Sequence, residues 1–421
     1  MKLRITLYLF FLFIISCSPS TDDIIPDPNT EVQGILSFED FNVRYKSGDQ
    51  LRIKLNRSGV KIEEHPIVFD GVYETVRERL IFFRRAEGSD IVFGQGDSGS
   101  PIINTEGQVV ASLCYGYEGV KHQFASRPIE DVMAVGQGRS PIGGQFFSDM
   151  PKVSFGSDLS DKDLSVYFGN DKYDLFSAYL FSHPNTFNYS SSTRQVSEFN
   201  VKPGHTISII EVSGNVVNFF VSGTISYEDD NYIYGFGHSS GLSAPMPVHL
   251  SSTVTIIESN VIPYKLSYPL SLELGTLVAD DGSGIKVLKV DSPVAQLNKT
   301  STEPIKITTN IRQGGQIIST ADHYVYGSLQ NERTHYHLQN LPGFVLSKSL
   351  EQIQNKGSFG FDNLDYKIIY SDGIEEPIDL SSSSSIESLP GFIGSSLGFN
   401  RDSRINPKYQ IMKLVFDLTL D

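Results

Sequence analysis

The chain has no Trp, two Cys and five Met among its 421 residues. Two thiols cannot staple a small disulfide scaffold, so that class is excluded. Charged residues are sparse at 20%, while Phe and Tyr supply 11%; that apolar content excludes a disordered chain. Positive charge is the scarcer sign, with 34 Lys and Arg against 49 Asp and Glu and a net charge of −15. No basic run or basic-aromatic stripe offsets it, so a phosphate backbone would be repelled and nucleic acid is set aside as a partner. No apolar run reaches the ~20 residues that a helix needs to cross a bilayer. The length exceeds the roughly 250–300 residues at which a single core stops growing, which points to two or three domains.

The longest apolar run covers residues 5–15, broken only by Thr6 and preceded by Lys2 and Arg4. A basic start and a short apolar stretch make a secretory signal. It ends in Ile14-Ile15-Ser16-Cys17 and passes into Ser18-Pro19-Ser20-Thr21-Asp22-Asp23. This resembles the bacterial lipoprotein signal, which implies that residues 1–16 are removed and that Cys17 is lipidated. Loss of Lys2 and Arg4 takes the net charge from −15 to −17, so the membrane is met through the anchor and not through the acidic body. The expected location is the bacterial cell envelope, on the outer membrane, with residues 17–33 as a polar tether. The second thiol, Cys114, lies in the apolar stretch 109–115 and reads as a buried group rather than a reactive one.

From about Gly34 the pattern is short β-rich runs with frequent turns: 51–55, 102–103, 109–115, 206–212, 216–227, 232–236, 254–257, 285–290, 305–309 and 412–420. The 104–107 stretch, Asn-Thr-Glu-Gly, reads as a hairpin turn. Helices are few. Pro128 with Glu130 and Asp131 opens one over 128–135, and 347–354 is a weaker second. Boundaries fall at the Gly-rich 136–144 and near 291–293, with a polar loop at 381–385. Leu-Pro-Gly-Phe occurs at 341–344 and again at 389–392, read as two similar turns.

The most informative stretch is Gly94-Gln95-Gly96-Asp97-Ser98-Gly99-Ser100-Pro101. Glycines on both sides of Ser98 permit a sharp turn that exposes its hydroxyl, and the amides of Gly96 and Ser98 can then point together as an oxyanion hole. Gly-Asp-Ser-Gly-x-Pro resembles the nucleophile segment of chymotrypsin-like serine proteases, with Ser100 where Gly is usual. A Ser nucleophile needs a base. His238 is the best on offer, because Tyr234-Gly235-Phe236-Gly237-His238 ends a strand and opens a Gly-rich loop. His65, His122, His183, His205, His249 and His323 sit singly and receive no role. His335 and His337 could share one face of a strand, but no Cys or carboxylate cluster completes a metal shell.

These segments resemble the sporulation factor IV B (SpoIVB) type serine peptidases, in the long bacterial relatives whose Ser segment precedes the His segment. The likeness spans about residues 90–290. It rests on Gly96 to Pro101, the hairpin at 107–114 and Pro128 to Met133, then on Gly223-Thr224-Ile225-Ser226-Tyr227, the acidic turn 228–230, Gly235 to His238 and Ala244-Pro245-Met246. A third segment is matched by Gly275-Thr276-Leu277, Asp280-Asp281 and Gly284-Ile285, with Asp281 where the family has Arg. Asp97 stands where the family commonly has Met and reads as structural.

The resemblance implies a mostly β fold of two chymotrypsin-like barrels in permuted order. The Ser half would cover 34–143, the His half 144–290, and an accessory β domain 291–421. It implies a serine endopeptidase, self-processing or acting on an envelope protein, with Ser98 as nucleophile, His238 as general base and Gly96 and Ser98 as oxyanion donors. Asp280 is the first choice for the acid that orients His238, and Asp90 the second. No metal or organic cofactor is needed for this chemistry. The alternative is a non-catalytic envelope lipoprotein that uses the scaffold to bind a partner.

Overall fold

The computed structural model describes residues 32–74, 79–117, 120–137, 152–154, 199–214, 218–242, 244–257, 263–297, 303–327, 361–379 and 411–420, with seven further positions between 334 and 346. The signal segment, Cys17, the 347–354 helix and the 381–385 loop lie outside the described residues. The architecture is mostly β, with a closed six-stranded barrel and a second, larger sheet.

Strands β1 (Gln50–Ser58), β2 (Lys61–Glu74), β3 (Arg79–Arg85), β4 (Pro101–Ile103), β5 (Val109–Tyr117) and β6 (Val120–Pro128) pair antiparallel in the order β4-β1-β2-β3-β6-β5. Pairing of β4 with β5 closes the barrel. Alternation puts Leu51, Ile53 and Leu55 of β1 inside with Phe69, Phe83 and Phe124. Helix α1 (Phe38–Arg44), which the sequence reading missed, caps this core with Phe38 and Phe41. Its first turn is held by Ser37, whose hydroxyl accepts the Asp40 amide at 3.1 Å. Pro128 leads directly from β6 into α2 (Ile129–Met133), with Glu130 and Asp131 at its positive end, so the expected helix exists but stops two residues early. Strand β7 (Lys152–Ser154) adds to the outer edge of β5, so part of 144–290 belongs to the first sheet.

The second sheet contains β8 (Thr206–Gly214), β9 (Phe219–Glu228), β10 (Tyr232–Gly235), β11 (Met246–Ile257), β12 (Tyr264–Asp281) and β13 (Gly284–Lys289). These follow one another as β11-β12-β13-β10-β9-β8, and β8 also pairs with β11, so six strands form a ring. Ile207, Val221, Ile225, Phe236, Val248 and Ile285 fill it. After α3 (Pro293–Leu297), strands β14 (Ile305–Gln313), β15 (Gln316–Val325), β16 (Phe361–Tyr370), β17 (Glu375–Asp379) and β18 (Ile411–Leu420) continue the same sheet. The junction is β15 on β8, His323 opposite Gly214 through Val325 opposite Val212. The accessory β segment is therefore joined to the second ring through shared hydrogen bonds.

Two readings are corrected at residues 334–346. The described positions there are helical and buried, with Leu338, Leu341, Val345 and Leu346 at the three-to-four spacing of a helix face. Leu341 and Pro342 are thus not a turn, and His337 is not on a solvated strand. The second Leu-Pro-Gly-Phe lies outside the described residues. His337 Nε2 meets the Glu211 carboxylate at 2.9 Å in a buried pair and packs on Phe219.

Candidate active site

The nucleophile segment leaves the first barrel between β3 and β4 and is laid against the second ring. Gln95 donates to the Pro263 carbonyl at 2.9 Å, and Lys265 N donates back to Gln95 O at 2.8 Å. Thr224 of β9 donates its amide to Ser98 O at 2.7 Å, and its hydroxyl donates to Gly96 O at 3.2 Å. Gly99 makes this approach possible: its φ is +94°, and a Cβ there would stand 1.9 Å from Thr224 O.

Against this segment the second ring presents His238. Strand β10 ends at Gly235, and Phe236 and Gly237 both take φ of +67°, a reversal that turns the chain out of the sheet. Gly237 is boxed in by Ser112 Oγ and Leu113 O of the first barrel. Arg127 of β6, wholly buried, donates Nε to Gly237 O at 2.9 Å. The His238 ring lies beside Tyr115, centroids 6.1 Å apart at 21°.

Ser98 Oγ lies 2.8 Å from His238 Nε2, although 140 residues separate them. His238 Nδ1 lies 2.7 Å from Ser239 O. A carbonyl only accepts, so Nδ1 carries the proton, and Nε2 is left to accept from the Ser98 hydroxyl. That tautomer is the one a general base requires.

The backbone of the segment is equally specific. The amides of Gly94, Gln95, Asp97, Gly99 and Ser100 all have acceptors. Among the described residues, those of Gly96 and Ser98 have none. Gly96, with φ of +91°, turns its N–H away from Lys265, because its peptide carbonyl, that of Gln95, faces Lys265. The Ser98 N–H is set by the Asp97 carbonyl, which accepts from Ser100 N at 2.9 Å. Two unused donors thus flank the hydroxyl, the pattern that a tetrahedral oxyanion needs.

The carboxylates fall elsewhere. Asp280, near the end of β12, accepts Ser240 N at 3.0 Å, Ser240 Oγ at 2.6 Å and Leu242 N at 2.8 Å. It braces the loop that follows His238, while the Nδ1 proton faces the Ser239 carbonyl. Burial pushes the Asp280 carboxyl above its usual value, and the bonds from Ser240 and Leu242 only partly counter it. Asp90 is exposed and acts electrostatically on His65. Cys114 is buried and donates Sγ–H to Ala125 O at 3.3 Å.

Asp97 stands directly before Ser98. It is wholly buried, with Oδ1 at 2.6 Å from Arg57 Nη1 and 3.4 Å from Lys265 Nζ, and Oδ2 accepting Gly94 N at 3.0 Å. Burial alone would push this carboxyl up, but Arg57 and Lys265 overcome it and hold it below the usual carboxylate range. A carboxylate next to a turn nucleophile was a signal that buried cations stood nearby. Among the described residues, no three His, Cys, Asp or Glu side chains group as metal ligands. No family model, curated protein or solved structure matches the chain, so what the site does is argued from its geometry.

Proposed function

We propose that the protein is a serine endopeptidase, a chymotrypsin-like pair of barrels in permuted order resembling the SpoIVB peptidases, anchored in the bacterial envelope through Cys17. The observation that carries the reading is the 2.8 Å contact of Ser98 Oγ with His238 Nε2 beside the two unused amides of Gly96 and Ser98. In the reaction Ser98 Oγ attacks the peptide carbonyl carbon while its proton passes to Nε2. The oxyanion accepts from Gly96 and Ser98 N–H. His238 returns the proton to the leaving amine, and water then cleaves the acyl-enzyme by the reverse path. The Ser239 carbonyl holds the tautomer, and Asp280 holds the 239–242 loop. A neutral carbonyl stabilises the imidazolium less than a carboxylate would, so a slow enzyme suited to self-processing or a single envelope substrate is the expected type.

One observation favours a second reading. Ser98 has 0% and His238 3% exposure, so a substrate carbonyl reaches Oγ only after the site opens; a site that stays shut would serve as scaffold for a binding module. A fluorophosphonate probe on the purified mature protein separates the two. Labelling of wild type, abolished by Ser98→Ala and reduced at least about 100-fold by His238→Gln, supports the peptidase. A folded, unlabelled wild type gives the site to the binding module.

A further inference from the structure

Resting on that reading, we propose that β7 sits in the place of a substrate: the chain lays Lys152–Ser154 along the edge of β5 that an incoming peptide needs, and so blocks its own cleft. Strand β5 is paired with β6 along one edge, from Ala111 to Tyr117. Its other edge changes hands along its length. Strand β4 holds it from Val109 to Ser112, and the nucleophile turn holds Leu113, whose carbonyl accepts Gly99 N at 2.8 Å. Ser112 and Leu113 also border Gly237, the residue before His238. Past that point the edge runs on from Tyr115 to Tyr117, and Tyr115 lies beside the His238 ring. Strand β7 pairs there, with Ser154 opposite Tyr115, Val153 opposite Gly116 and Lys152 opposite Tyr117. Among the described residues it pairs with no other strand.

The direction of β7 identifies its role. Strand β5 leaves the nucleophile turn at Leu113 and runs away from Ser98 towards Tyr117. Strand β7 is antiparallel to it and therefore runs towards Ser98, with Ser154 at the end nearer the Ser98–His238 pair. A peptide on this edge delivers the residue at its carboxyl side to the hydroxyl, as the acyl half of a cleaved bond has to be delivered. A strand edge recognises its partner through main-chain hydrogen bonds, so the substrate class is an extended segment of protein. Only one strand fits the edge. A tethered segment competes at an effective concentration of the order of millimolar, so a free substrate at micromolar level pairs only once β7 has left. The restraint is reversible, because a strand of three residues at the rim of a sheet opens at small cost.

The test compares two probes on the full mature chain: a small alkyl fluorophosphonate, and a peptidyl phosphonate built on the sequence Pro151-Lys152-Val153-Ser154. Only the second has to pair with β5. The triple variant K152P/V153P/S154P removes every N–H that β7 can donate and so frees the edge. It is expected to raise the peptidyl rate at least about tenfold and to leave the small-probe rate within about threefold of wild type. Should circular dichroism show it unfolded, K152G/V153G/S154G, which weakens the strand through chain entropy alone, carries the test. A folded variant whose peptidyl rate stays at the wild-type value overturns the proposal and leaves the peptidase intact. Where neither probe labels any of these proteins, the peptidase reading fails, and binding decides the docking edge. A fluorescent peptide of the same sequence should bind the Ser98→Ala form of the proline variant and not Ser98→Ala alone. Equal binding to both, or binding to neither, overturns the role given to β7.

Discussion

The candidate site depends on backbone conformations that few residues tolerate, and Gly96 and Gly99 show how much that tolerance differs between neighbours. Both have φ near +90°, which costs an L side chain roughly 1–2 kcal/mol. Their surroundings differ more. A Cβ at Gly96 meets the Lys265 Cβ at 3.2 Å, a contact that a small shift relieves, whereas at Gly99 it meets Thr224 O at 1.9 Å and Phe236 N at 2.5 Å. Those last atoms are backbone of the second ring and cannot turn aside. Gly99→Ala should therefore lower the melting temperature well beyond Gly96→Ala and abolish labelling, by forcing the two barrels apart at Ser98. Thermal unfolding of both variants checks this, and equal melting temperatures would refute it.

At the scale of elements, the β12–β13 hairpin governs where His238 sits. Its turn pairs Asp281 with Gly284, and β13 is the neighbour of β10, whose end releases the histidine. Gly284 has φ of +147°, and a Cβ there would stand 2.6 Å from Gly235 O and 3.3 Å from Gly237 N. Gly284→Ala thus presses on the reversal at 236–237. It should cut labelling at least about tenfold by displacing the imidazole, while the β content, read from circular dichroism, persists. Unchanged labelling would show that the reversal is held by other contacts. The same elements show what a reader of the sequence could see. The β4–β5 hairpin and the β10 end were legible, because alternation and Gly punctuation are local signals. Strand β2 was not: Lys61, Glu63 and Glu64 break the apolar pattern, and its buried residues are Ile62 alone and then the run Ile67, Val68 and Phe69, with no steady alternation. Strand β12 was hidden in the same way, with its one Lys fully buried in a run that reads as half-polar. Ser98 and His238 could be named from Gly-rich context. The Ser239 carbonyl could not, since any residue offers one.

Across the whole molecule, each half supplies what the other lacks. The first barrel gives the Ser98 hydroxyl and the two unused amides of Gly96 and Ser98, and the second ring gives the His238 imidazole and Thr224, which grips the Gly96 and Ser98 carbonyls. The halves are stitched by buried polar contacts: Gly59 with Thr253, Ser112 Oγ with Ser226 Oγ at 2.7 Å, and Arg127 with Gly237 O. Such contacts fix orientation, because a hydroxyl or guanidinium buried between the barrel and the second sheet finds these partners in only one docking. Arg127 is the sharpest case. It reaches from β6 to the turn before His238 and also donates Nη2 to the hydroxyl of Tyr115, the ring that stacks on His238, at 3.3 Å. Arg127→Met keeps much of the apolar stem and removes the link, leaving the Gly237 carbonyl without this donor at a cost of about 2 kcal/mol. Labelling should then fall at least about tenfold, because the loss is spent on the relative placement of nucleophile and base. Circular dichroism should show both β units still folded. If the rate instead tracks only the drop in melting temperature, Arg127 serves stability and the docking of the halves is set by the remaining contacts.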